Sequence, residues 1–312
     1  MRTTFGLIVM LSACSGAPSR LSATGLYADL QSHTLAPGVV AFAPRYVLWS
    51  DGAKKQRWVF VPEGKTIDVS APDQWVFPVG TKLWKQFERD GQVLETRYLE
   101  KTAAGWRFET YVWDSDGREA NATAFFGAPN VRGTAHDVPG QGDCRFCHGG
   151  AEAPLGFTAV QLAARPDAMS PLDLAAMTSR GWLSQPLVDA ELAPLSQDLA
   201  ADRALGALSA NCGGCHDDDG SQDDKPLRLR LRTSDRTRGD TGFFQTALGR
   251  DASRTIDGLR TYAVAGQPES SLLLHRLESR GTAAQMPPIG TELRNDELVR
   301  AVRSFIESLR DE

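Results

Sequence analysis

Gln92-Val93-Leu94-Glu95-Thr96-Arg97-Tyr98-Leu99 and Trp106-Arg107-Phe108-Glu109-Thr110-Tyr111-Val112-Trp113, with Ala104-Gly105 between them, read as the two strands of an antiparallel hairpin. Valine, threonine and aromatic residues recur through both runs, as a pleated, half-buried surface requires. Asp90-Gly91 precedes the first run and Asp116-Gly117 follows the second. Asp51-Gly52 and Glu63-Gly64 punctuate the chain upstream. Such pairs supply the backbone conformations that tight turns need. Outward from the hairpin, residues 38–128 hold most of the seven tryptophans and no helix of useful length. A β meander folded into a sandwich or half-open barrel is expected, with the aromatic residues as its core.

The pattern changes downstream. Thr158 opens a short helix through Ala164, and Ser170-Pro171-Leu172-Asp173 reads as a helix start with Ser170 as cap, running to Arg180 and closed by Gly181. A helix from Gln197 to Ala210 leads into Cys212, a second spans Ser270 to Ser279, and Asn295 caps a last one. On that last helix Leu298, Val299, Val302, Phe305, Ile306 and Leu309 share one face. The expected fold is multidomain: an N-terminal all-β unit followed by mainly α-helical domains that each carry a C-x-x-C-H haem-attachment signature, Cys144 to His148 and Cys212 to His216, and so resemble cytochrome c haem domains. The expected boundaries are a lipoprotein signal peptide at 1–13, a tether at 14–24, the β domain at 25–128, a first haem region at 129–196 and a second haem domain at 197–312.

The haem expectation rests on Cys144-Arg145-Phe146-Cys147-His148 and Cys212-Gly213-Gly214-Cys215-His216. Each is a C-x-x-C-H, in which two thiols bond covalently to haem vinyl groups and the adjoining histidine ligates the iron. Two covalently bound haem c groups are therefore expected, with His148 and His216 as proximal metal ligands. Met286, in Met286-Pro287-Pro288, is the expected sixth ligand at the second iron. A thioether there favours the reduced state. At the first iron Met169, Met177, His136 or no side chain are all open, with Met177 better suited to packing. His275 is a candidate partner for a haem propionate or a surface residue. Arg228, Arg230, Arg232, Arg236 and Arg238 form a basic stretch in which one or two are candidates for propionate pairing. The acidic run from Asp217 does not fit a calcium loop. The adjoining histidines and the lack of a βαβ context weigh against a zinc site or a thioredoxin-like pair.

The fifth of the chain's five cysteines, Cys14, closes Leu11-Ser12-Ala13-Cys14 after a charged start and a short apolar run. This is an export signal too short to span a bilayer. It resembles a bacterial lipobox, which implies lipidation at Cys14 and a protein held at the periplasmic side of a membrane, the outer one favoured. Acyl chains on Cys14 supply the anchor. Across 312 residues, hydrophobic content is 41%, charged content 23% and net charge −5. No basic excess is available for nucleic acid. A periplasmic redox protein is the expected partner.

Several further stretches share a pattern. They are Leu48-Trp49-Ser50-Asp51-Gly52-Ala53-Lys54-Lys55, Phe77-Pro78-Val79-Gly80-Thr81, Glu95-Thr96-Arg97-Tyr98-Leu99 and Leu155-Gly156-Phe157 to Gln161-Leu162. Asn211-Cys212-Gly213-Gly214-Cys215-His216, Gly266-Gln267-Pro268-Glu269-Ser270-Ser271-Leu272-Leu273 and Met286-Pro287-Pro288-Ile289-Gly290 continue it. Together these resemble a family of bacterial dihaem c-type cytochromes, often lipoproteins, with an N-terminal β domain; the second haem region is similar to class I cytochrome c, whose two terminal helices cross. The resemblance implies electron transfer and assigns no chemistry to the β domain. The leading expectation is an exported, membrane-tethered dihaem electron carrier. The alternatives are a peroxidase-like enzyme with an open first iron, and a substrate-binding β domain that passes electrons to the haems.

Overall fold

The structure, a computed structural model, describes residues 16–148, 154–164, 170–187 and 199–309. Its strands are β1 (Tyr27–Asp29), β2 (Thr34–Leu35), β3 (Val40–Ala41), β4 (Lys54–Phe60), β5 (Lys82–Arg89), β6 (Gln92–Thr102), β7 (Gly105–Trp113), β8 (Ala120–Ala122), β9 (Asp251–Ile256) and β10 (Leu259–Thr261). Its helices are α1 (Gln141–His148), α2 (Ala159–Leu162), α3 (Leu174–Ser179), α4 (Leu199–Cys212), α5 (Gly242–Thr246), α6 (Leu272–Glu278) and α7 (Asp296–Ser308).

Strands β3 to β8 form one antiparallel sheet in sequential order. The hairpin read from the sequence is its centre: β6 and β7 pair from Glu95↔Val112 to Thr102↔Gly105. Asp90 and Gly91, both at positive φ, turn β5 into β6. Alternation along the strands gives the sheet two unlike faces. Trp58, Trp84 and Tyr98 lie side by side on one face. There they join Leu21, Leu26, Tyr27, Tyr111 and Trp113 in a core covered by the N-terminal segment. The other face presents Val59, Leu83 and Leu99, packed against Phe157 and Leu162 from around α2 and Leu174 and Met177 of α3.

A third core belongs to the C-terminal part. Ala204, Leu205 and Leu208 of α4 meet Val299, Val302, Phe305 and Ile306 of α7. Asn295 caps α7 as expected, its side chain accepting the Leu298 N–H at 3.0 Å.

The expected fold class is corrected in two respects. The β region is neither a sandwich nor a half-open barrel but a single open sheet, because the lead-in chain and helices α2 and α3 cover its faces in place of a second sheet. The remainder is not a set of mainly α-helical, cytochrome c-like domains. The whole is a mixed α and β fold with a large sheet and seven helices among the described residues. Three of those helices, α1, α2 and α3, have 8, 4 and 6 residues. The C-terminal part also holds the β9–β10 hairpin, turned by Asp257 and Gly258 at positive φ. A further correction concerns α3, which is capped by Asp173 rather than Ser170: its carboxylate accepts the Ala176 N–H at 2.8 Å.

Candidate functional site

Helix α4 carries Cys212 at its last residue and turns directly into Cys215 and His216. The glycines between the cysteines have a steric reason. A Cβ at Gly213 would lie 2.6 Å from the Ser209 carbonyl oxygen and 2.8 Å from the Arg230 Cα. One at Gly214 would lie 2.9 Å from Leu155 Cδ2. The Gly213 contacts are with backbone, so only glycine lets the motif pass that close to the segment 227–231, whereas the Leu155 side chain can yield at Gly214.

Cys212, Cys215 and His216 line a cavity of about 1060 Å³. Its walls include Leu227, Leu229, Tyr262, Leu272, Leu273 and Met286. The size is at the upper end of small-molecule and cofactor sites, and the lining is mostly apolar. His216 Nδ1 is buried with no hydrogen-bond partner. Burial, then Arg276 and other nearby cations, push its imidazole down to about 4, so the ring is neutral and keeps a lone pair for a metal. Burial pushes the Cys212 thiol up to about 12. A cavity of this volume lined by two cysteines, a neutral histidine and a methionine has the donor set and the room that a covalently attached haem would need.

The Met286 loop is held from several sides. The Met286 N–H donates to the Arg276 carbonyl at 3.1 Å, and the Gln285 side chain donates to the Pro287 and Thr291 carbonyls at 3.1 and 2.9 Å. Asp51, at the start of the sheet, accepts the N–H groups of Glu292 and Leu293 at 3.0 and 2.9 Å. Trp49 donates its indole N–H to the Leu293 carbonyl at 3.1 Å, while its backbone N–H donates to the Asn211 side chain at 2.7 Å. The Leu48-Trp49-Ser50-Asp51-Gly52 stretch thus joins the residue before Cys212 to the methionine loop. The sequence singled out that stretch but assigned it no task; nothing local to it shows that its partners lie near residues 211 and 292.

The first motif lies on α1, packed on the sheet face opposite the tryptophans. The His148 ring lies 5.3 Å from Phe108. Cys147 hydrogen-bonds Cys215, so the two motifs meet at their second cysteines. The Cys147 side chain pulls Cys215 toward the thiolate against the effect of burial. His136 is buried, with Nε2 2.8 Å from Glu95. Glu95 also accepts two bonds from Arg97, at 2.7 and 3.1 Å. Met177 is fully buried in the core beneath the sheet, which matches the packing role read for it. Met169 and Cys14 lie outside the described residues.

The remaining candidates are engaged elsewhere. Arg230 and Arg232 pair with Asp217 at 3.1 and 2.6 Å, and Arg228 with Asp218 at 2.6 Å, so the basic stretch neutralises the acidic run. His275 lines the cavity and contacts Asp257 at 2.8 Å. The expectation of a metal-binding protein is corrected as follows. Among the described residues no group of three or more His, Cys, Asp or Glu side chains could hold a metal ion. His148 ends α1 and His216 follows α4, and the adjoining Asp217 and Asp218 are paired with arginines. Among those residues no helix is long and apolar enough to cross a membrane. Comparison with family models, with curated proteins and with solved structures found no match.

Proposed function

We propose that the chain is an exported, membrane-tethered electron-transfer protein bearing two covalently attached haem c groups. The observation that carries this reading is the cavity of about 1060 Å³ whose lining includes Cys212, Cys215, His216 and Met286. A haem supplies one-electron exchange at its iron, which arrives inside the porphyrin and needs no cage of protein carboxylates. The chain's own residues then have defined tasks. Cys212 and Cys215 fix the group covalently, the neutral His216 offers a lone pair, and the apolar lining excludes water. The loop held by Asp51 and Trp49 keeps Met286 on the wall of the cavity that His216 also lines. Cys144, Cys147 and His148 perform the attachment tasks at the first site. The lipobox-like Leu11-Ser12-Ala13-Cys14 supports the periplasmic anchor, and a periplasmic redox protein is the partner proposed.

The test is expression of the full chain in a host that attaches haem c, followed by mass measurement and an alkaline pyridine spectrum of the denatured protein. Two haems per chain are expected, and one in the Cys212→Ala/Cys215→Ala variant. Met286→Ala is expected to keep both haems and to lose the near-infrared sulfur-to-iron band of the oxidised protein. A mature exported chain without covalent haem would overturn the reading.

A further inference from the structure

One face of the sheet carries a run of cations that the fold alone does not explain. Register places Arg57 opposite Lys85, and Lys85 opposite Arg97, on three neighbouring strands. Lys55 lies in the next row, opposite Phe87, which in turn faces Glu95. Like charges directly across a strand pair destabilise a sheet. Here four cations, Lys55, Arg57, Lys85 and Arg97, share a single carboxylate on the face, Glu95, already bound by Arg97 and His136.

Arg57 is 7% exposed, and among the described residues its side chain has neither a hydrogen bond nor an ion pair. Lys85 is also without a hydrogen-bonding partner; it lies over the Phe87 ring at 5.0 Å. Burial, with Arg57, Arg97 and Lys55 around it, pushes Lys85 well below the ordinary lysine range. Arg57 thus has no ion-pair partner, and half-buried Lys85 has only the already shared Glu95 near it, whereas cations withdrawn from water are normally paired.

The position of the row indicates what pairs with it. The adjoining row on the same face runs Val59, Leu83, Leu99 and Phe108, and His148 lies on Phe108. Arg97 is close enough to Cys144 and Cys147 for their charges to interact. Strands stand ~4.8 Å apart, so Arg57 is displaced from Arg97 by roughly 10 Å across the sheet, away from the cysteines. In a haem the two acidic arms project from the edge opposite the two vinyl-bearing rings. We propose that Arg57 and Lys85, backed by Arg97, form a carboxylate-binding row for the acidic arms of the macrocycle attached at Cys144 and Cys147. The inference rests on the haem-bearing reading above and adds the orientation of the first haem, with its acidic edge over β4 and β5.

The test uses the full, haem-loaded chain with Lys85→Gln, Arg57→Gln and the conservative Lys85→Arg. Haem per chain is counted first; a count below two removes the reading on which the row depends, before any potential is measured. With two haems present, Lys85→Gln is expected to lower one midpoint by about 59 mV, a tenfold change in the one-electron equilibrium, and to leave the other in place. A cation near the iron favours the reduced form, so its removal lowers the potential; Lys85→Arg restores it. Lys85→Met is expected to raise the urea midpoint of the haem-free full chain and to lower that of the loaded chain. Two unmoved potentials in both glutamine variants would overturn the assignment. So would saturable stabilisation of the loaded wild-type chain by succinate that is lost in Arg57→Gln, since it would identify a free dicarboxylate as the anion.

Discussion

Asp51 accepts the Leu293 N–H at 2.9 Å across 242 residues of sequence, tying the first turn of the sheet to the loop that holds Met286. The same carboxylate accepts the Glu292 N–H, so two backbone donors depend on one side chain. Hydrogen bonds to a charged group are each worth about 1.5–3 kcal/mol, and less where solvent reaches them. Asp51→Ala is therefore expected to lower unfolding free energy by about 1–3 kcal/mol. Asp51→Asn, which keeps one acceptor oxygen, should lose less. Urea unfolding followed by tryptophan fluorescence reads both, and an unchanged midpoint in Asp51→Ala would contradict the anchoring role.

Gly206 on α4 lies under Tyr46, whose hydroxyl donates to Asp202 at 2.5 Å. A Cβ at Gly206 would fall 2.0 Å from Tyr46 Cε1. Gly206→Ala normally favours a helix, yet here overpacking should destabilise by about 1–3 kcal/mol. A double-mutant cycle with Tyr46→Ala is expected to cancel much of that cost. Additive effects would show that the clash is relieved elsewhere.

Glu95 is fully buried, and Arg97 and His136 both depend on it. Glu95→Ala leaves a cation and an imidazole unpaired and should cost about 3–5 kcal/mol. Glu95→Gln retains an acceptor and should cost less. Comparable midpoints for the alanine variant and wild type in guanidinium titration would refute this.

Asp235 is buried and accepts the Arg232 N–H at 2.9 Å. Burial outweighs that bond and pushes its carboxyl from 3.8 up to about 6, with Asp73 adding repulsion. The folded state thus holds the proton more tightly than the unfolded chain. The stabilisation it provides is fully present below pH 3.8 and is lost as pH rises through about 6, by about 1–2 kcal/mol once solvent screening is allowed for. Asp235→Asn should flatten the stability profile between pH 4 and 6; a wild-type slope in that variant would exclude Asp235 as the source.

The parts of this fold legible in the sequence were those governed by neighbours. The β6–β7 hairpin, the Asp90-Gly91 turn and the Asn295 cap each depend on a few consecutive residues. The two C-x-x-C-H motifs are equally local. The β9–β10 hairpin carried a comparable signal at Asp257-Gly258, between short stretches of mixed polarity that gave no strand pattern. What sequence could not give was partnership over distance. Trp49 and Asp51 show their role only when residues 211 and 292–293 arrive beside them. The row Arg57, Lys85 and Arg97 appears only once strand register is known, since the three lie far apart along the chain. The sandwich or barrel expectation failed for the same reason: alternation marks a strand as having two faces but does not say what covers each.

The contact between Asp51 and Leu293 also orders events in time. A chain made from its N-terminus presents the sheet and both cysteine motifs before residues 286–293 exist. Until that last segment docks, the cavity beside His216 lacks the part of its wall that Met286, Pro287 and Pro288 supply. The cavity is complete only when the end of the chain has reached Asp51.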